Sequence, residues 1–142
     1  MKTIGLGIVI LAASFTALAQ DGPVDRTYGC LERMALDPRL GVIADKVALV
    51  YGPGLKAAPA LERSVTAEER AAVALWLDLR ERCFFAGGYY RFTALTPHEH
   101  IAMQAAFEFQ QRLLSNLAQG GVTYAQFNRR RLELAEGLYW GI

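Results

Sequence analysis

The sequence predicts an all-α protein, a compact antiparallel bundle of four or five helices tied by one disulfide. Three observations lead there. Apolar residues recur every three or four positions along most of the chain, as one face of a helix requires. Thr66-x-x-Glu69 and Thr96-Pro97-x-Glu99 carry the spacing at which a hydroxyl and a carboxylate satisfy each other's free backbone amides at a helix start. Paired glycines, Gly87-Gly88 and Gly120-Gly121, fall where the helical patterns stop. Strand signals are weak. The aromatic run between Cys83 and Phe92 mimics a strand, but its double glycine reads as a connector between helices.

Gly22 and Pro23 discourage an early helix, so the first one is expected from Asp25 to Leu36. Tyr28, Leu31 and Ala35 share one side of it, beside Cys30 and Met34. Asp37-Pro38 ends that helix and starts another, because Asp37 caps free amides and Pro38 suits a first helical turn. Leu40, Ile43, Val47 and Val50 then recur at helical spacing. Tyr51-Gly52-Pro53-Gly54 stops the pattern, and the stretch to Ser64 is irregular, a candidate cover for the core. Thr66 opens the clearest helix, with Val73, Trp76, Leu77, Arg80, Cys83 and Phe84 on a broad apolar side. Tyr89-Tyr90-Arg91-Phe92 is expected as a short bridge. The next helix runs from Pro97 to about Leu117, with Ile101, Ala105, Phe109, Leu113 and Leu117 on one stripe. Thr123 starts the last helix, with Phe127, Leu134 and Leu138 on one face and Tyr139, Trp140 and Ile142 as an apolar end.

The N-terminus reads as a signal peptide over 1–19. Lys2 supplies a positive start, Ile4–Ala13 an apolar run, and Ala17-Leu18-Ala19 a small-x-small cleavage site, so the mature chain begins at Gln20. Residues 20–142 then form one helical domain of about 120 residues, enough to bury a core. The full chain has 15 basic and 14 acidic residues; without Lys2 the two balance. A near-neutral chain lacks the positive field that collects phosphates, so no nucleic-acid binding is expected. No second apolar stretch approaches the length of a bilayer span, and no stable membrane insertion is expected after cleavage. The location expected is periplasmic or secreted. There Cys30 and Cys83 can pair, and neither has the Cys-x-x-Cys neighbour of a redox-active site.

Candidate chemistry is sparse. His98 and His100 are two residues apart at a helix start, so they do not share a helical face. They lack the His-Glu-x-x-His order that sets a zinc-bound water beside a base. Asp78 and Glu81 have a spacing common on exposed helices and make no convincing acid–base pair. Arg129, Arg130 and Arg131 are consecutive, point in different directions, and read as a solvated face paired in part with Glu133 and Glu136. No catalytic residue and no cofactor are predicted. The densest aromatic group is Phe84, Phe85, Tyr89, Tyr90 and Phe92, with Arg82 and Arg91 beside it. Large rings of this kind suit a ligand or protein contact, or equally a bundle end closed around Cys30.

Asp37-Pro38-Arg39-Leu40, Asp45-Lys46-Val47, Thr66-x-x-Glu69, Trp76 and Arg80-x-x-Cys83 together resemble a group of small exported all-helical proteobacterial proteins of uncharacterised function. The resemblance spans Cys30 to Cys83 and implies export and a helical fold; it carries over no activity. Two functional readings follow. One is an envelope binding or accessory protein that contacts an envelope protein or small ligand through Tyr89, Tyr90, Arg91 and Phe92. The other is a metal-responsive periplasmic protein using His98 and His100. Broad apolar helix sides also leave room for a homodimer.

Overall fold

The computed structural model describes residues 22–50 and 61–140, with side chains described as far as residue 137. Six helices follow one another: α1 (Arg26–Ala35), α2 (Gly41–Ala44, entered through a 3₁₀ turn at Pro38–Leu40), α3 (Ala67–Ala86), α4 (Gly88–Ala94), α5 (Pro97–Ala118) and α6 (Tyr124–Trp140). No strand occurs among the described residues. This is the expected all-α bundle, with two of its helices short. The signal-peptide segment, residues 51–60 of the irregular stretch, and the side chains of Leu138, Tyr139, Trp140 and Ile142 lie outside the described residues.

The helix starts follow from local chemistry. Asp25 caps α1 by accepting from the Thr27 amide at 2.9 Å. Asp37 accepts from the Arg39 amide at 3.0 Å, with Pro38 in the first position of the 3₁₀ turn. Both predicted capping boxes are complete, at Thr66/Glu69 and at Thr96/Glu99. Thr123 and Gln126 exchange the same pair of bonds at the start of α6. At the end of α5, Gly120 adopts φ 76°, and the amides of Gly120 and Gly121 return to the carbonyls of Leu117 and Asn116, both at 2.9 Å. A left-handed residue flanked by those two bonds closes a helix with little strain when it is glycine.

α3 is the central element. It packs most extensively against α1 and α5, and α2 and the 3₁₀ turn also rest on it. Cys30 bonds Cys83 while Thr27 meets Arg91, so α1 runs antiparallel to α3. Phe84 stacks on Phe107 and Arg80 bonds Gln110, so α5 does the same. α6 lies against α5 and brings Phe127 to within 5.9 Å of Trp76, edge to face. Trp76, Val73, Leu40, Ile43, Leu117, Tyr124 and Phe127 are wholly buried. Burying an aliphatic or aromatic side chain of this size stabilises by about 1.5–3 kcal/mol before the entropy of ordering it is subtracted.

Four expectations need correction. The helix after Pro38 ends at Ala44, where the amides of both Lys46 and Val47 turn back onto the Ile43 carbonyl. Val47 is still buried, but from a non-helical segment whose carbonyls bond side chains: Asn128 to Lys46, Arg131 to Ala48 and Trp76 to Leu49. The Tyr89–Phe92 bridge is a two-turn helix, α4. The α5 stripe holds only in its second half: Leu113 and Leu117 are buried, with Leu114 and Gln110, whereas Ile101, Ala105 and Phe109 are exposed. Arg131 does not share the solvated face of Arg129 and Arg130; it is buried over Trp76 and Phe127, 5.2 and 5.4 Å from the ring centres.

Candidate functional site

Residues 83–97 contain one charged side chain, Arg91. Their geometry begins at Gly87, where α3 gives way to α4. A Cβ there would overlap Thr27 Oγ1 and crowd Asp25 Oδ1 and the Arg91 guanidinium. The start of α1 is thus seated directly on the α3–α4 junction, three residues upstream of the Cys30–Cys83 bridge and its 5.2 Å Cα separation. Gly87 serves close approach rather than left-handed geometry, since its φ is −90°. The chain consequently resumes a helix at Gly88 instead of breaking away as a loop.

Arg91 points inward from α4 and is buried. Its guanidinium donates to the Phe84 carbonyl and, at 3.0 Å, to Thr27 Oγ1. It lies 3.6 Å over the Phe84 ring, while Phe107 stacks on that ring at 3.9 Å and 9°. Two groups this close cannot share one face, so Phe84 is sandwiched between a cation and a second ring. Burial pulls the Arg91 pKa down, and nearby Asp25 offsets part of that effect. Arg91 therefore joins α4, α3 and α1 from beneath, its side chain buried rather than presented at the surface beside Tyr89 and Phe92.

Of the other predicted residues, two point outward. Tyr89 is 75% exposed and Phe92 81%, while Tyr90 is half-buried. Phe85, on the last turn of α3, is also exposed and meets Phe84 edge to face at 6.4 Å. Val24 and Tyr28, at the start of α1, are exposed at the same end of the bundle. So is Ile101, whose neighbour His100 places Nδ1 3.4 Å from the Arg91 carbonyl. Six of the eight large apolar side chains exposed among the described residues thus gather around α4; Leu36 and Phe109 are the exceptions. The sequence showed the rings but not their division into a buried Phe84 and an exposed remainder.

Other polar groups have structural partners. The buried Glu69 carboxylate accepts from Nη1 and Nη2 of Arg63, each at 2.6 Å, and from the Thr66 amide at 2.8 Å, with Lys46 Nζ at 3.5 Å. Arg63 above all holds the Glu69 pKa at about 2. A carboxylate so saturated is no general base near neutrality. Tyr124 is wholly buried beside Glu69, and that burial raises its hydroxyl pKa. This cluster was not legible beforehand: Glu69 announced a cap, and nothing in the spacing announced Arg63 or Lys46 as its partners. His98 is exposed and His100 half-buried, and no group of three or more His, Cys, Asp or Glu able to hold a metal ion occurs among the described residues. Both cysteines are in the bridge, so neither is a nucleophile. An open groove of about 530 Å³ between α3 and α5 is lined by Arg70, Ala74, Leu77, Ser115, Ala118 and Gln119, a set without an acid–base pair. No helix among the described residues is long and apolar enough to cross a membrane. A disulfide of this kind forms and persists in an oxidising, non-cytosolic compartment.

Compared with protein families, curated proteins and solved structures, the chain matches no family model, no curated protein and no solved structure.

Proposed function

We propose that this is a small exported envelope protein, periplasmic or secreted, that acts by binding rather than by catalysis and makes its contact through the aromatic end around α4. The observation that carries this reading is the charge-free surface of residues 83–97, where Phe85, Tyr89 and Phe92 stand out from a braced base. Isolated exposed apolar residues are ordinary on a protein surface, but a cluster of them around one short helix is characteristic of an interaction site. The bracing matters as much as the rings. With the disulfide, Gly87 and Arg91 fixing α4 to α1 and α3, little order must be imposed on binding, and less of the contact energy is offset by entropy. The signal-peptide pattern of the first nineteen residues and the Cys30–Cys83 bridge support an oxidising destination outside the cytosol.

Replacing Tyr89 and Phe92 together with alanine tests the reading. Both side chains are largely solvent-exposed, so the fold should survive, as an unchanged far-UV circular dichroism spectrum would show. Each ring buried on association is worth about 1.5–3 kcal/mol, so losing both should weaken binding to isolated envelopes by about a hundredfold or more, read by co-sedimentation. Equal co-sedimentation of the double variant and the wild type would show that this surface is not the site.

A further inference from the structure

We propose that the aromatic end pairs two copies of this chain, face to face across a two-fold axis that runs along α4; this rests on the reading of that end as a contact surface and names its partner as the chain itself. The first observation is area. Val24, Tyr28, Phe85, Tyr89, Phe92 and Ile101 are each 54–81% exposed. A whole aromatic side chain covers about 150–250 Å², so the six together offer roughly 800 Å² on each copy. That exceeds the roughly 300–600 Å² of the largest apolar patch on an ordinary monomer. It equals the share, about 800 Å², that each partner gives to a stable interface of standard size.

The second observation is charge. Exposed Arg26, Glu81, Arg82 and Glu99 flank the rings, two bases and two acids. A bilayer would have to strip water from all four, and a partner of one sign would meet as much repulsion as attraction. A second copy carries the same mixture, and the placement of the charges makes it complementary. α4 lies between the start of α1, which Arg91 reaches through Thr27, and the start of α5, where His100 meets the Arg91 carbonyl. Arg26 opens α1 and Glu99 stands in the first turn of α5, so a base and an acid occupy opposite flanks of α4. An axis along α4 lays the α1 flank of one copy over the α5 flank of the other. Arg26 then faces the partner subunit's Glu99, and Glu99 faces the partner subunit's Arg26, the reciprocity of an isologous interface. The capping bonds from Thr96 go to Oε2 of Glu99, and Oε1 takes part in none of them. Exposed pairs of this kind add little affinity but fix the register. Tyr89 and Phe92, one turn apart on the outward side of α4, supply the centre of the contact.

Sedimentation equilibrium of the chain as its host processes it, from micromolar to submillimolar concentration, tests the proposal. The expected result is a monomer–dimer equilibrium. Tyr89→Ala/Phe92→Ala removes each ring twice from the interface and should raise the dimer Kd by about a hundredfold or more. Arg26→Glu sets like charges together at both rim contacts and should raise it by about tenfold at low salt, and less at high salt. Mixing the Arg26→Glu and Glu99→Lys variants should restore pairing, since each supplies the sign that the other lacks. A wild type that stays monomeric throughout, or a dimer that survives the loss of both rings, would overturn the proposal. So would a dimer indifferent to Arg26→Glu, a variant that leaves the capping box of α5 intact. The envelope assay separates the two readings. A monomeric wild type whose ring variant still loses envelope co-sedimentation overturns the dimer and leaves the binding reading with another envelope component. A dimer lost in the ring variant with co-sedimentation unchanged upholds the dimer and removes the envelope contact.

Discussion

Replacing Glu69 with glutamine should destabilise the fold by about 2–3 kcal/mol near neutral pH, and the loss should fade in acid. The carboxyl is pulled from its ordinary 4.5 to about 2, chiefly by hydrogen bonding to Arg63, with the Thr66 amide and Lys46 adding to the pull. At about 1.4 kcal/mol per pKa unit this corresponds to about 3 kcal/mol, trimmed somewhat because the Arg63 side chain is 41% exposed and screened by solvent. Removing one member of a buried pair typically costs as much. The folded state keeps the carboxylate ionised down to about pH 2, while the unfolded chain protonates near 4.5. The stabilisation is therefore complete above 4.5 and disappears as pH falls toward 2. Asp37, also held at about 2 by Arg39, is present in both proteins and cancels in the comparison. Urea denaturation followed by circular dichroism, with the disulfide intact, at about pH 7 and about pH 3 measures the difference. A gap between wild type and variant that is equally wide at both pH values, or below about 0.5 kcal/mol at neutrality, would refute the assignment of this energy to the buried carboxylate.

Further outcomes follow from other parts of the fold. Cys30→Ser with Cys83→Ser opens a loop with a sequence separation of 53 and should cost about 4 kcal/mol, read as a lower urea midpoint that reductant reproduces in the wild type. Gly87→Ala forces a methyl into Thr27 Oγ1 and should cost about 1–3 kcal/mol. Gly41→Ala meets nothing within 4 Å, keeps a helical φ of −55°, and should be neutral or stabilising by about 0.5–1 kcal/mol in the same assay.

What was legible in the sequence was mostly what neighbouring residues decide. Thr66 with Glu69, Thr96 with Glu99, and Gly120-Gly121 act within one turn, so their spacing foretold the helix ends found. The pairing of two cysteines, both now bonded, needed no geometry to anticipate. What was not legible depends on partners far along the chain. Val47 and Val50 kept helical spacing, yet the backbone around them is claimed by Trp76, Asn128 and Arg131 across the interior. Gly87-Gly88 marked the end of α3 at Ala86 correctly, but not that Gly87 is small to admit Thr27 and Asp25 from α1, nor that a new helix starts at once. Ile101, Ala105 and Phe109 obeyed the period of α5 but extend along a stretch where, among the described residues, no neighbouring element covers that face. At the candidate site, composition identified the rings and missed the sorting of Phe84 and Arg91 inward from Tyr89 and Phe92 outward.

The bridge between α1 and the last turn of α3 also bears on the order in which the molecule assembles. A chain made or threaded from its N-terminus delivers both thiols before α5 and α6 arrive. Oxidation at that moment would leave a covalently joined pair of helices offering Leu31, Met34, Val73 and Trp76 as a template, on which Leu114, Leu117 and Phe127 later dock. Early closure would then shorten the search that the second half of the chain must make, and a delayed oxidant would show itself as slower acquisition of the Trp76–Phe127 contact.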